Sequence, residues 1–508
     1  MNLARLVMID LSGPRVTPAE REFLSARRPG GVCLFARNVV DRFQLAEYIE
    51  ELRSLAGSDL IVALDQEGGG VVRVTDLPYP PSAMALGAAD DVELTRAVAE
   101  ATGRGLRSVG VDIDFAPVAD VNSNPANPVI ADRSFGADPR LVARHVAAFV
   151  QGLQAAGVGA TVKHFPGHGD TAIDSHLALP TLDLSFEELE RREWPPFVAA
   201  FEAGVAAVMT AHIVMRRIDP ELPGTLSRTV ITGLLRERLG FDGVVFTDAL
   251  EMKAIAERWG GPEAAVMALA AGVDMPVQVA SLARQEETIT ALERALAAGR
   301  LDERALEVSL TRLARLISGE RSAPRPAEAW HEGDAALLDA AARRALVTIG
   351  AADGLPTVAP GDGVVLVAAE ATRQSAATQA TVSPASGLVA ALRERGVEVA
   401  EVRYQADAAQ AALEEALTRA RGADLVVFAS TARTVLKDSE IELARRLAGA
   451  SGKRFLHVAL WNPYLVAAVP GPALVTFGWR DRSVQAAARA LMGEMTTTAT
   501  APVELASA

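Results

Sequence analysis

From the N-terminus to about residue 280, short β-branched runs alternate with alanine-rich stretches whose apolar residues recur at helical spacing. The runs predict strands at 4–10, 31–36, 60–64, 111–115, 158–162, 205–211, 243–247 and 272–277. Eight strands, each followed by a helical pattern or a long loop, predict a (β/α)8 barrel, with a doubly wound open sheet as the alternative. No G-x-G-x-x-G follows a strand, and the G-G-G at 68–70 precedes V-V-R-V rather than a helix, so it reads as a tight turn. Residues 318–334 lose the apolar pattern and collect proline, glycine and charge, which marks a linker. Beyond it a helix at 335–345 leads into strands at 346–350, 364–369, 397–403, 424–429, 454–460 and 473–478, separated by helical stretches. The expected fold class is therefore α/β, with a TIM-type barrel over 1–317 and a smaller α/β sandwich with a mostly parallel sheet over 335–508. A helix near 438 is expected to be capped by Asp438 or Ser439. The tail after about residue 494 reads as frayed.

The length of 508 residues suits two to three domains with full-sized cores. A net charge of −14 disfavours nucleic acid or an anionic membrane surface as partner. The single cysteine, Cys33, excludes an internal disulfide, and its place in G-V-C-L-F suggests a small core residue. The apolar run before Asp10 is too short for a signal peptide, and no stretch approaches a membrane span. A cytoplasmic protein, monomeric or homodimeric, is expected.

Candidate chemistry concentrates in K-H-F-P-G-H-G-D-T-A-I-D-S-H, residues 163–176, which holds Lys163, His164, His168, Asp170, Asp174 and His176. Proline and two glycines make it a shaped loop after the fifth strand. In a barrel the strand ends and the loops that follow them carry the chemistry. Asp65 follows the third strand, His212 ends the sixth and Asp248 follows the seventh. A long polar segment after the fourth carries Asp120 and Arg133. Ionisable groups at one end of strand after strand point to a pocket.

An aspartate at a strand end among apolar neighbours, Asp248, is costly unless it has a partner or a chemical task. Asp174 stands two residues from His176, close enough to orient the imidazole for proton transfer. A nucleophilic aspartate with a separate proton donor is the minimal kit of a retaining glycosidase. Plainer readings stand beside these. Asp248 could cap a helix, His176 could be a surface residue, Asp65 could start a turn, and Asp114 and His212 could be buried structural groups. A metal-dependent hydrolase using His164, His168, Asp170, Asp174 and His176 is a second enzyme class. A non-catalytic sugar-binding protein is a third reading.

Taken together, K-H-F-P-G-H-G with D-S-H, L-D-Q-E-G-G-G-V-V-R, N-P-V-I-A-D-R-S-F-G and F-T-D-A-L-E-M resemble family 3 glycoside hydrolases, specifically their bacterial β-N-acetylglucosaminidase branch. The resemblance covers about residues 1–320 and, beyond them, only the position and α/β type of a second domain. It implies Asp248 as nucleophile, His176 as general acid/base and Asp174 as its dyad partner. It also implies that Asp65, Arg73, Arg133, Lys163 and His164 bind a terminal N-acetylglucosamine. The implied substrate is a small carbohydrate such as a muropeptide or chito-oligosaccharide, with no cofactor and no metal; a phosphorylase is a variant within the family.

Overall fold

The computed structural model describes residues 1–175, 177–317, 323–351, 354–370 and 384–505. Eight parallel strands close into a barrel: β1 (Met8–Ile9), β2 (Gly31–Leu34), β3 (Ile61–Leu64), β4 (Ile113–Asp114), β5 (Gly159–Phe165), β6 (Ala207–Thr210), β7 (Val244–Ala249) and β8 (Met275–Gln278). Each pairs with its neighbours in chain order, and β1 pairs with β8 to complete the ring. The interior is a packed core rather than a pore, as the Phe115 and Phe246 rings meeting edge-on at 5.4 Å show. The helices around it start where the sequence offers caps. The side chain of Asp138 accepts from Arg140 N just before Pro139, and Thr17 and Glu20 form a reciprocal capping box.

Two strands run further than the apolar pattern predicts. β5 continues through Lys163 and His164 to Phe165, and β7 includes Asp248, so these groups sit in the last turns of strands rather than in the loops after them. Periodicity stops at the first polar residue; backbone pairing does not.

The second unit is a six-stranded sheet: β9 (Val347–Ile349), β10 (Gly363–Ala369), β11 (Glu398–Tyr404), β12 (Leu425–Ser430), β13 (Phe455–Ala459) and β14 (Ala473–Val475). The spatial order is β9-β14-β13-β12-β10-β11, all parallel except the edge strand β9, which runs antiparallel to β14. Apolar clusters fill both faces of this sheet, as the near-continuous valine and leucine runs require. Of the expected linker, residues 318–322 lie outside the described residues. The helix Asp438–Ser451 is capped one residue earlier than expected: its cap is Lys437, whose N–H is accepted by the Glu440 carboxylate, while Ser439 Oγ donates to Ala406 O.

The expected fraying of the tail is overturned as far as residue 505. Pro502 O accepts from Ala137 N of the barrel at 2.9 Å, and Val503 is buried with Met84, Ala85 and Phe477 in a cluster shared by both units. The apolar side chains that hold this segment lie from 26 to more than 400 residues away along the chain, so local composition carries no sign of them. Two further contacts tie the units beside the barrel mouth. Arg480 Nε donates to Gly69 O at 2.6 Å, and Ser82 Oγ donates to Phe477 O at 2.7 Å. No helix among the described residues is long and apolar enough to cross a membrane.

Candidate active site

The segment after β3 is folded back on itself by one buried amide. Gln66 Oε1 accepts from Arg73 N and Val74 N, while its Nε2 donates to Val74 O. The turn between them closes through Gly68 and Val71, each N–H donating to the other's carbonyl. Gly68 has φ +100°, and a Cβ there would lie 2.3 Å from Pro81 O, so only glycine fits. This turn aims Asp65, Glu67 and Arg73 at the centre of the barrel mouth.

There the buried Lys163 Nζ contacts Asp65 Oδ1 at 2.7 Å and Glu67 Oε1 at 2.6 Å. Arg73 holds the second oxygen of Asp65 at 2.9 Å, and Arg133 grips Glu67 bidentately at 2.8 Å and 2.8 Å. Burial alone would raise both carboxyls, but Lys163 with Arg73 holds Asp65 far below the usual carboxylate range, and Arg133 with Lys163 holds Glu67 low. By the same balance burial lowers the Lys163 ammonium and the two carboxylates more than restore it. Every member of the cluster is therefore charged at neutral pH, and its donors and acceptors stand fixed at one wall.

Asp120 organises the adjacent loop. Its Oδ1 accepts the backbone N–H of His164 at 3.1 Å and of His168 at 2.7 Å, and its Oδ2 meets His164 Nδ1 at 2.7 Å. A carboxylate only accepts, so Nδ1 carries a proton and the ring orientation of His164 is set. Burial would raise Asp120, but His164 outweighs it and holds the carboxyl low. Gly169 lets the loop pass the polar segment after β4, for a Cβ there would lie 1.7 Å from Val121 O. Both ring nitrogens of His168 are taken, Nδ1 by Thr171 Oγ1 at 2.8 Å and Nε2 by Ser175 Oγ at 3.1 Å. Burial, then the neighbouring His164, push His168 down to about 4, so it is neutral.

A cavity of about 360 Å³ lies over these groups, lined by Asp65, Arg73, Arg133, Lys163, His164 and Asp248 among others. The structure thus brings together six of the eight residues to which the resemblance gives roles. Asp248 Oδ1 accepts from Ala249 N at 2.7 Å, and the charge of Asp248 reaches His168. The strand behind it is pinned by His212, whose Nε2 meets Ala249 O at 3.0 Å and whose Nδ1 meets Thr225 Oγ1 at 2.8 Å, the satisfied buried histidine among the readings above. Asp174 is half-buried on the loop that crosses toward β7, where Ala254 N donates to Ser175 O at 3.4 Å. His176 lies outside the described residues. Glu67 and the hub role of Asp120 escaped sequence reasoning; the only local sign of Glu67 was a carboxylate set directly before a glycine turn.

The metal reading finds little support in the donor atoms. His168 has both nitrogens engaged, His164 Nδ1 faces Asp120, and Asp170 pairs with Arg192 at 2.7 Å. Among the described residues no group of three or more histidine, cysteine or acidic side chains is arranged to hold a metal ion.

Asp114, behind the cluster, behaves differently. Its Oδ1 accepts from Gln66 N at 2.8 Å, yet burial pushes its carboxyl up to about 8, helped by the charges of Asp65 and Glu67. A carboxyl raised above its unfolded value of about 3.9 binds its proton more tightly when folded. Its contribution to stability is therefore full below about pH 4 and is lost as pH rises toward 8. Asp114→Asn keeps the acceptor and removes the titration. Between pH 5 and pH 8 the variant should lose less stability than the parent, by up to about 4 kcal/mol, in paired denaturation curves. Parallel pH slopes would refute the raised carboxyl.

A closed parallel barrel with a charged, walled pocket at the carboxyl ends of its strands is the form of a (β/α)8-barrel enzyme. The model of the glycosyl hydrolase family 3 N-terminal domain matches residues 1–316, and the chain belongs to that family. It is 41% identical over 276 residues to a beta-hexosaminidase of Methylococcus capsulatus, covering 53% of this chain and 81% of that one. It is 40% identical over 323 residues to a beta-hexosaminidase of Thioalkalivibrio sulfidiphilus, covering 61% and 88%. With beta-hexosaminidase A of Pseudoalteromonas piscicida the match is 36% over 328 residues, only 55% of that longer protein. The solved structure of a family 3 beta-N-acetylglucosaminidase from Paenibacillus sp. str. FPU-7 superimposes with a TM-score of 0.92 at 32% identity, covering 99% of this chain and 98% of the other. The second unit is therefore shared as well as the barrel, and the chain is a glycoside hydrolase.

Proposed function

We propose that this chain is a retaining β-N-acetylglucosaminidase that removes a non-reducing terminal N-acetylglucosamine, with cytoplasmic muropeptides as the substrate class. The reading rests on one observation above all: Asp248 opens into the same cavity as the Asp65–Lys163–Glu67–Arg133 cluster and His164. The cluster offers paired donors and acceptors in fixed directions, which suits the vicinal hydroxyls of a pyranose. Asp65 accepts from two of them, while Lys163, Arg73, Arg133 and His164 donate. Asp248 attacks the anomeric carbon and expels the aglycone, to which His176 supplies a proton while Asp174 orients its ring. Water, deprotonated by the same histidine, then cleaves the glycosyl ester. A histidine suits this double task because its ordinary pKa lies near neutrality.

The decisive experiment is to trap the ester with a fluorinated N-acetylglucosamine bearing an activated leaving group and to locate it by peptide mass. A label on the peptide holding Asp248 supports the reading, and a label elsewhere rejects it. Assay in phosphate distinguishes the acceptor, since accumulation of the sugar 1-phosphate would identify a phosphorylase. His176→Ala should lower kcat/KM on a disaccharide by about 10²–10⁴-fold and on an activated aryl glycoside far less, because only the poor leaving group needs a proton. Equal losses on both would remove His176 from the acid role.

A further inference from the structure

Strand β12 ends in a turn that leaves its own unit and reaches the barrel. Asn462 Nδ2 holds this turn by donating to the carbonyls of Arg433 and Thr434, both at 2.8 Å. From that fixed backbone the Arg433 guanidinium crosses to donate to Val129 O at 3.0 Å. Val129 lines the cavity, and its carbonyl also accepts from Arg133 at 3.2 Å. Two arginines, one from each unit, thus converge on a single carbonyl.

Their charges are not balanced alike. Arg133 is forked onto Glu67, whose Oε1 is also shared with Lys163. Arg433 makes no ion pair among the described residues, though the charges of Asp132, Asp174 and Glu67 reach it at longer range. Burial and the repulsion of Arg133 both work against its charge. A half-buried cation in that position would be stabilised by an anion arriving from outside. Asp174, whose charge reaches Arg433, belongs to the loop to which the reading above assigns the proton donor, so an anion held by Arg433 would approach from the aglycone side.

Resting on that reading, we propose that Arg433 is a specificity-determining residue contributed by the second unit, and that it binds a carboxylate on the aglycone sugar. A neutral aglycone offers it nothing. An aglycone with an acidic ether substituent would give Arg433 an ion pair that no described residue supplies.

The test compares two disaccharides with the same terminal N-acetylglucosamine and leaving groups of one chemical class. One has N-acetylglucosamine at its reducing end, and the other has N-acetylmuramic acid, which carries a lactyl carboxylate. Arg433→Ala should lower kcat/KM for the acidic disaccharide by about tenfold or more, mainly through KM, and change the neutral one by no more than about twofold. Arg433→Lys should recover part of the loss, since the charge returns without the fork. Equal losses on both substrates, or a shifted pH profile on the neutral one, would overturn the assignment and leave Arg433 as a brace for the dyad loop. If the parent protein cleaves neither disaccharide, the β-N-acetylglucosaminidase reading fails. Calorimetric binding then decides for Arg433 alone: a parent that prefers the acidic sugar, with the preference lost in Arg433→Ala, supports it, and no preference overturns it.

Discussion

Asp248→Ala is expected to lower kcat/KM on an aryl N-acetylglucosaminide by about 10⁴-fold or more, equivalent to ~5.5 kcal/mol of transition-state stabilisation. The fold should survive. The strand that carries Asp248 is held independently by β6, β8 and His212. Near-normal thermal unfolding with lost turnover separates a chemical role from a structural one. The shortened side chain also makes room on that face of the sugar for a small anion. Azide should restore part of the activity and yield a glycosyl azide of inverted anomeric configuration. A variant that keeps even a tenth of the parent's activity would remove Asp248 from the nucleophile's role.

Lys163→Met should be the most damaging change for the protein itself. The side chain is buried and joins two carboxylates, Asp65 at 2.7 Å and Glu67 at 2.6 Å. Methionine fills much of the same volume and leaves two buried anions with one arginine each. Removing one partner of a buried ion pair typically costs about 3–5 kcal/mol. The loss should depend on pH in a defined direction. Asp65 and Glu67 titrate below their unfolded values, so the parent keeps this contribution above about pH 4 and loses it only in stronger acid. In Lys163→Met both carboxyls move up, so acid unfolding of the variant should begin at higher pH. Substrate binding should weaken in parallel, because Asp65 and Glu67 lose the charge that fixes them. Urea unfolding at pH 5 and pH 7 checks the first claim, and KM checks the second. An unchanged midpoint would mean that water compensates the lost ammonium.

The barrel was legible because each strand is a short apolar run buried on both faces, which writes itself into the sequence as a block. The location of the site was legible for a related reason: Asp65, Lys163, His164 and Asp248 interrupt those blocks always at the same end, and a barrel turns that into convergence. The partners of these residues were not legible. Nothing local announces that Arg133 forks Glu67 across 66 positions, or that Asp120 binds one histidine at the end of β5 and another in the loop after it. Such pairs depend on where the chain returns, which periodicity does not encode. The tail failed for the same reason, since Pro502 and Val503 find their partners on the barrel. At Lys437 the error was smaller: a helix start fixed by a glutamate three residues on can sit beneath a side chain that is a poor cap on its own.

Asp120 has one more bearing on how this enzyme can change. Through His164 it sets a ring that lines the cavity; through His168 and Ser175 it reaches the residue next to His176. On the reading proposed above, recognition of the glycone and delivery of the proton would both be geared to a single carboxylate. A lineage drifting toward a new sugar by altering that carboxylate would then disturb its own acid catalysis in the same step, and diversification would be easier at the rim, where Arg433 of the second unit reaches Val129.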